Sequence, residues 1–102
     1  MDTVILNVKN ILNIDIEWVE RKKKYGTLVY DGTIILTTGN TKMECLIEVK
    51  QELRTHQLDY VEKLHSNVNT TFILIAHRLT SEMRMELRRR DIAYIESTGN
   101  LY

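Results

Sequence analysis

Residues 27–50, TLVYDGTIILTTGNTKMECLIEVK, decide the fold. Thr27 to Thr37 is rich in β-branched and aromatic residues, Thr38-Gly39-Asn40-Thr41 has a tight-turn composition, and Met43 to Lys50 is a second β-favouring run. The stretch predicts an antiparallel hairpin. In its second strand the pleat sends Cys45, Ile47 and Val49 to one face and puts Glu48 and Lys50 together on the other. In its first strand Asp31 interrupts an otherwise apolar run, where an acid is unfavourable for strand propensity. Asp31-Gly32 reads either as a bulge or turn that breaks one long strand in two, or as an acid kept there for its chemistry.

Upstream, Val4, Ile5, Val8, Ile11 and Leu12 recur at three and four, which predicts a helix over 3–12 capped by Asp2 or Thr3. From Leu12 the period changes to two through Ile14, Ile16 and Trp18, predicting a strand at 14–20. Arg21-Lys22-Lys23-Lys24-Tyr25-Gly26 then supplies charge and a glycine for a turn. Downstream, Leu53, Tyr60, Val61 and Leu64 share a helical face between 53 and 66. Gln57 falls on that stripe, either aiming its amide at the sheet or sitting at the stripe's exposed edge. Thr70 to Ala76 is the continuous apolar run of a central, parallel strand buried on both sides. Thr80 or Ser81 caps a helix in which Met83 and Leu87 face inward, and Ile92 to Ile95 is a short last strand. The element order is α, β, β, β, α, β, α, β, an α/β fold with a mixed sheet flanked by helices.

Composition agrees with this reading. The 102 residues are one domain's worth, and 43% hydrophobic with 27% charged residues excludes a disordered or collagen-like chain. Fourteen Lys plus Arg balance fourteen Asp plus Glu, so no overall field pulls the chain onto DNA or an anionic membrane, and any nucleic-acid contact must be local. The lone Cys45 forms no intrachain disulfide and fits a reducing, cytoplasmic setting. No apolar run approaches the roughly 20 residues of a membrane helix, and the start lacks a secretory signal. The final Gly-Asn-Leu-Tyr stops inside what reads as a strand, as expected of residues 1–102 forming the N-terminal part of a longer protein.

Asp31, then Glu48-Val49-Lys50 beginning 17 residues further on, then Gln57, within an αβββαβ order, resemble the PD-(D/E)xK, or restriction-endonuclease-like, superfamily. A narrower resemblance covers 28–102. The phrases at 46–54, 73–76 and 92–100, the last ending Glu96-Ser97-Thr98-Gly99-Asn100, are similar to a nuclease-like domain of bacterial AbiEi-type antitoxins and transcriptional regulators. In that family the domain is usually joined to a winged-helix segment, which the resemblance would place in the C-terminal region of the full-length protein. The resemblance implies a Mg²⁺ ion held by Asp31, Glu48 and the carbonyl of Val49, oxygen ligands that suit this hard cation. It implies that Lys50 orients or helps deprotonate the attacking water and offsets transition-state charge, while Gln57 positions a water or a phosphate. Many active members add a glutamate from the first helix, where this chain offers only Asp2, with Glu17 or Glu20 as substitutes from the first strand.

Lys22, Lys23 and Lys24 form one basic run and Arg88, Arg89 and Arg90 another, both candidates for DNA phosphate contacts. Such runs are also what solvated turns and helix C-termini carry. His56, His65 and His77 lack zinc spacing, but His77 ends the buried strand, where α/β sheets often place functional groups. Trp18 and Cys45 read as packing residues. Three readings follow: a Mg²⁺-dependent DNA phosphodiesterase, a catalytically silent domain of a bacterial regulator or antitoxin, and an oligomerisation module such as a homodimer built on the last strand's free edge.

Overall fold

In the computed structural model, residues 2–99, 101 and 102 are described, without the Asp2 side chain; the expectations placed on that side chain and on Asn100 lie outside the described residues. Helix α1 spans Asp2–Leu12, and strands β1 (Asp15–Tyr25), β2 (Leu28–Thr38) and β3 (Thr41–Glu52) follow as a meander. A 3-10 turn at Thr55–Gln57 leads into α2 (Leu58–Ser66), then β4 (Phe72–Arg78), α3 (Ser81–Arg89) and β5 (Ala93–Glu96). The five strands form one mixed sheet in the order β1-β2-β3-β4-β5, antiparallel across the first three and parallel from β3 to β5.

Each face of the sheet is covered because each offers an apolar set. Val4, Ile5 and Val8 of α1 bury against Ile16, Ile34, Ile47, Val49 and Ile75. On the other face Val61 and Leu64 of α2 and Met83 and Leu87 of α3 bury against Tyr30, Leu46, Phe72, Leu74 and Tyr94. Interior strand β4 serves both layers, which is why Phe72 to Ala76 is apolar at every position. Asn13, at φ 54°, ends α1 in the left-handed conformation that Asn tolerates well. The two hairpin turns, Gly26-Thr27 and Gly39-Asn40, each begin with a glycine at positive φ, the backbone that tight antiparallel connections demand. Thr80 accepts a hydrogen bond from Met83 N at 3.1 Å and so caps α3.

Three expectations shift. The basic run Arg21 to Lys24 is part of β1, paired with β2 as far as Tyr25↔Leu28, because an edge strand with both faces exposed accommodates long cations without burying them. Leu53 and Gln57 precede α2 and so do not share its stripe. The helix buries Leu58, Val61 and Leu64, while Tyr60 is exposed. Asp31-Gly32 does not split β2. The irregularity lies opposite, in β1 between Trp18 and Glu20, where the Trp18 ring packs over Gly32. No helix among the described residues is long and apolar enough to cross a membrane.

Candidate functional site

The parallel strands end at one edge of the sheet, and β2, running against β3, begins there. Pairing between β2 and β3 extends from Thr38↔Thr41 to Gly32↔Ile47. Beyond Ile47, β3 continues beside β4 through Lys50↔Ala76 and Glu52↔Arg78. Where the ladder with β2 stops, the Asp31 carboxylate accepts a hydrogen bond from Val49 N at 2.7 Å. The acid that is out of place by propensity thus satisfies a strand amide.

Glu48 is only 6% exposed, and Lys50 Nζ lies 3.3 Å from its Oε2. Burial first, and the neighbouring Asp31 carboxylate second, push the Glu48 carboxyl up to about 7, against the opposing pull of Lys50. Two acids are crowded together here with one ammonium. Asp31, Glu48, Val49, Lys50 and Gln51, with Val4 of α1, line a pocket of about 210 Å³. Lys50 and Gln51 also line a larger groove of about 520 Å³, together with Arg54, Gln57, His77 and Arg78. The two spaces share a wall and form a trough at the carboxyl ends of the strands, where open α/β sheets place ligand sites.

Gln57 reaches this trough from the 3-10 turn rather than from α2. Its Oε1 accepts from Arg54 N at 2.9 Å, which leaves the amide NH₂ as the group it presents. The donor set for a metal is two carboxylates plus backbone oxygen. Among the described residues no group of three or more His, Cys, Asp or Glu is placed to hold an ion. Glu17 and Glu20 are exposed on β1, the sheet's edge strand.

The two basic runs lie apart in the fold, one on β1 and one at the end of α3, and neither lines the trough. Lys23 pairs with Glu20 at 3.3 Å, and Lys22 and Lys24 are exposed. Arg89 bonds Glu86 at 2.6 Å, and Arg90 bonds Glu62 at 2.7 Å and Asp59 at 3.2 Å. Arg88 donates to the Tyr94 hydroxyl at 3.2 Å and lies over the Tyr94 and Tyr102 rings. The arginine run pins α3 to α2 and to the C-terminal segment.

Sequence reasoning singled out His77 but not Ser97, its partner, nor the neighbouring Glu96. His77 Nδ1 lies 2.8 Å from Ser97 Oγ, and Ser97 is 1% exposed. The fully buried Glu96 accepts from Leu79 N at 2.6 Å and from Arg84 Nε at 3.0 Å, tying the loop before α3 to β5. Its signal in the sequence is faint: an acid two residues after the inward-facing Tyr94. No protein-family model, curated protein or solved structure matches the chain.

Proposed function

We propose that this is a nuclease-like, DNA-associated domain of the restriction-endonuclease-like type, with Asp31, Glu48 and Lys50 as the site of a Mg²⁺-dependent phosphodiester hydrolysis. The observation that carries the reading is the convergence of these three residues where β2 and β3 part, beside an open trough. The site's chemistry suits a hard divalent cation. Two crowded carboxyls, one of them raised to about 7, form a concentration of negative charge that such an ion relieves. Asp31, Glu48 and the Val49 carbonyl would hold it. When bound, the ion supplies Lewis-acid polarisation of a phosphoryl oxygen.

The chain's own residues supply the remaining parts. Lys50, fixed by its ion pair with Glu48, directs N–H donors toward an attacking water and toward the charge that builds on the phosphoryl oxygens. Gln57 offers its NH₂ to a phosphate oxygen. Arg54 and Arg78 add positive charge along the groove wall.

A second reading rests on the size of the donor set. With two acids rather than three, the same trough suits a catalytically silent domain of a bacterial transcriptional regulator or antitoxin, working through DNA or a partner. Titration of Mg²⁺ and Mn²⁺ by calorimetry, with plasmid cleavage on the same samples, separates the two. Wild type is expected to bind metal and nick DNA, and Glu48→Ala to lose both while melting cooperatively. No metal binding and no cleavage by folded wild type would leave the silent reading in place of the enzymatic one.

A further inference from the structure

Glu20, Thr33 and Leu46 are successive cross-strand partners on β1, β2 and β3, so they share one face of the sheet, and Glu44, two residues before Leu46, shares it too. Leu46 belongs to the core that α2 and α3 cover, which fixes the face. Beside that core these four residues line a cavity of about 220 Å³, with Lys23 and Tyr25 from the end of β1 and Thr70 from the connection before β4. No helix residue lines it, and none of its residues lines the trough. The Thr70 wall is held against β3 by the hydrogen bond from Leu46 N to Thr71 O at 2.9 Å.

Two acceptors in this cavity lack a donor. Thr33 is only 7% exposed, yet its hydroxyl makes no hydrogen bond among the described residues. A hydroxyl taken out of water is costly to leave unpaired, so one that opens onto a cavity marks a place where a ligand atom completes the bond. The Glu44 carboxylate has no cationic partner among the described residues, whereas Glu20 is paired with Lys23 Nζ at 3.3 Å. Two carboxylates against one ammonium leave the cavity with one negative charge in excess. What it lacks is a cationic donor. A single unpaired carboxylate with neutral hydroxyls matches the three N–H donors of an ammonium, where a hard divalent ion calls for more charged oxygen. The cavity has roughly the bulk of seven waters, enough for a short alkyl chain, and the Leu46 side chain and the Tyr25 ring offer that chain apolar contact.

We infer that this cavity binds a small primary alkylammonium compound, whose ammonium donates to the Glu44 carboxylate and the Thr33 hydroxyl while its chain lies on Leu46 and Tyr25. The site is separate from the trough and does not rest on the hydrolytic reading.

The test is a titration of the full chain with putrescine, followed by backbone-amide NMR at constant ionic strength, with the diol of the same chain length as the uncharged control. Putrescine is expected to give saturable shifts at Thr33, Glu44 and Leu46, and the diol none. Glu44→Gln, a change at an exposed position, is expected to weaken binding by about tenfold or more, as befits loss of a hydrogen bond to a charged group. Thr33→Val keeps the shape of the side chain and removes the hydroxyl. It is expected to weaken binding by about fivefold with no fall in melting temperature, because no hydrogen bond within the protein is lost. The inference is overturned by an absence of saturable shifts at these residues, by equal shifts with the diol, or by equal affinity of Glu44→Gln and wild type. A lower melting temperature in Thr33→Val would show the hydroxyl to be engaged within the protein, and overturns it as well.

Discussion

At the scale of single residues, Glu48 combines burial with a second carboxylate beside it. Its carboxyl is raised from 4.5 to about 7, by burial and then by Asp31, so the folded state keeps a proton that the unfolded chain releases. Stability from this group is complete below about pH 4.5 and is lost as pH rises through about 7, a change on the order of 3 kcal/mol. Glu48→Gln is expected to remove that slope. Urea unfolding at pH values across this window should show the variant gaining on the wild type with increasing pH, and parallel curves would refute the assignment. Glu48 beside Lys50 was legible in the sequence because a strand's alternation is local. The Asp31 contact was half legible, as an acid out of keeping with its run. The His77–Ser97 pair was not, since 20 residues separate them and only the parallel register of β4 and β5 joins them.

At the scale of elements, the meander depends on one close approach. A Cβ on Gly32 would lie 2.5 Å from Trp18 Cζ3 and 2.6 Å from the Glu20 carbonyl oxygen, and the latter is backbone that cannot turn aside. Gly32→Ala is expected to cost roughly 1–3 kcal/mol, the usual range for overpacking, seen as a lower urea midpoint with an unchanged m-value. The elements themselves were largely readable, since period two and period three-to-four differ over short windows. Two boundaries were not. The stripe that includes Leu53 mimics a helix because residues seven apart also share a helical face, yet Leu53 and Gln57 belong to the approach into α2. Arg21 to Lys24 has a turn's composition but a strand's place, which only its pairing with β2 decides.

At the scale of the whole molecule, balanced charge is unevenly committed. Arg84, Arg89 and Arg90 are held by Glu96, Glu86, Asp59 and Glu62, whereas the guanidinium groups of Arg54 and Arg78 have no carboxylate partner among the described residues and line the trough. Within the proposed reading, Arg54→Ala and Arg78→Ala are each expected to weaken DNA binding and to reduce its salt dependence by about one unit of slope. Arg90→Ala is expected to lower the melting temperature and leave that slope alone. Fluorescence anisotropy across a salt series, paired with thermal melts, distinguishes the two patterns. The reverse result would move the anion-facing surface to α3.

The hydrogen bond from Val49 to Asp31 means that the site's first carboxylate is aimed by the peptide skeleton rather than by a neighbouring side chain. Its bearing is inherited from the alignment of β2 with β3. Repacking the helices around the sheet leaves that bearing unchanged, whereas a slip of one strand past the other turns the acid away and costs the sheet an amide partner in the same movement. Alignment error and loss of the site are thus one event, and a misregistered hairpin carries no half-built version of it.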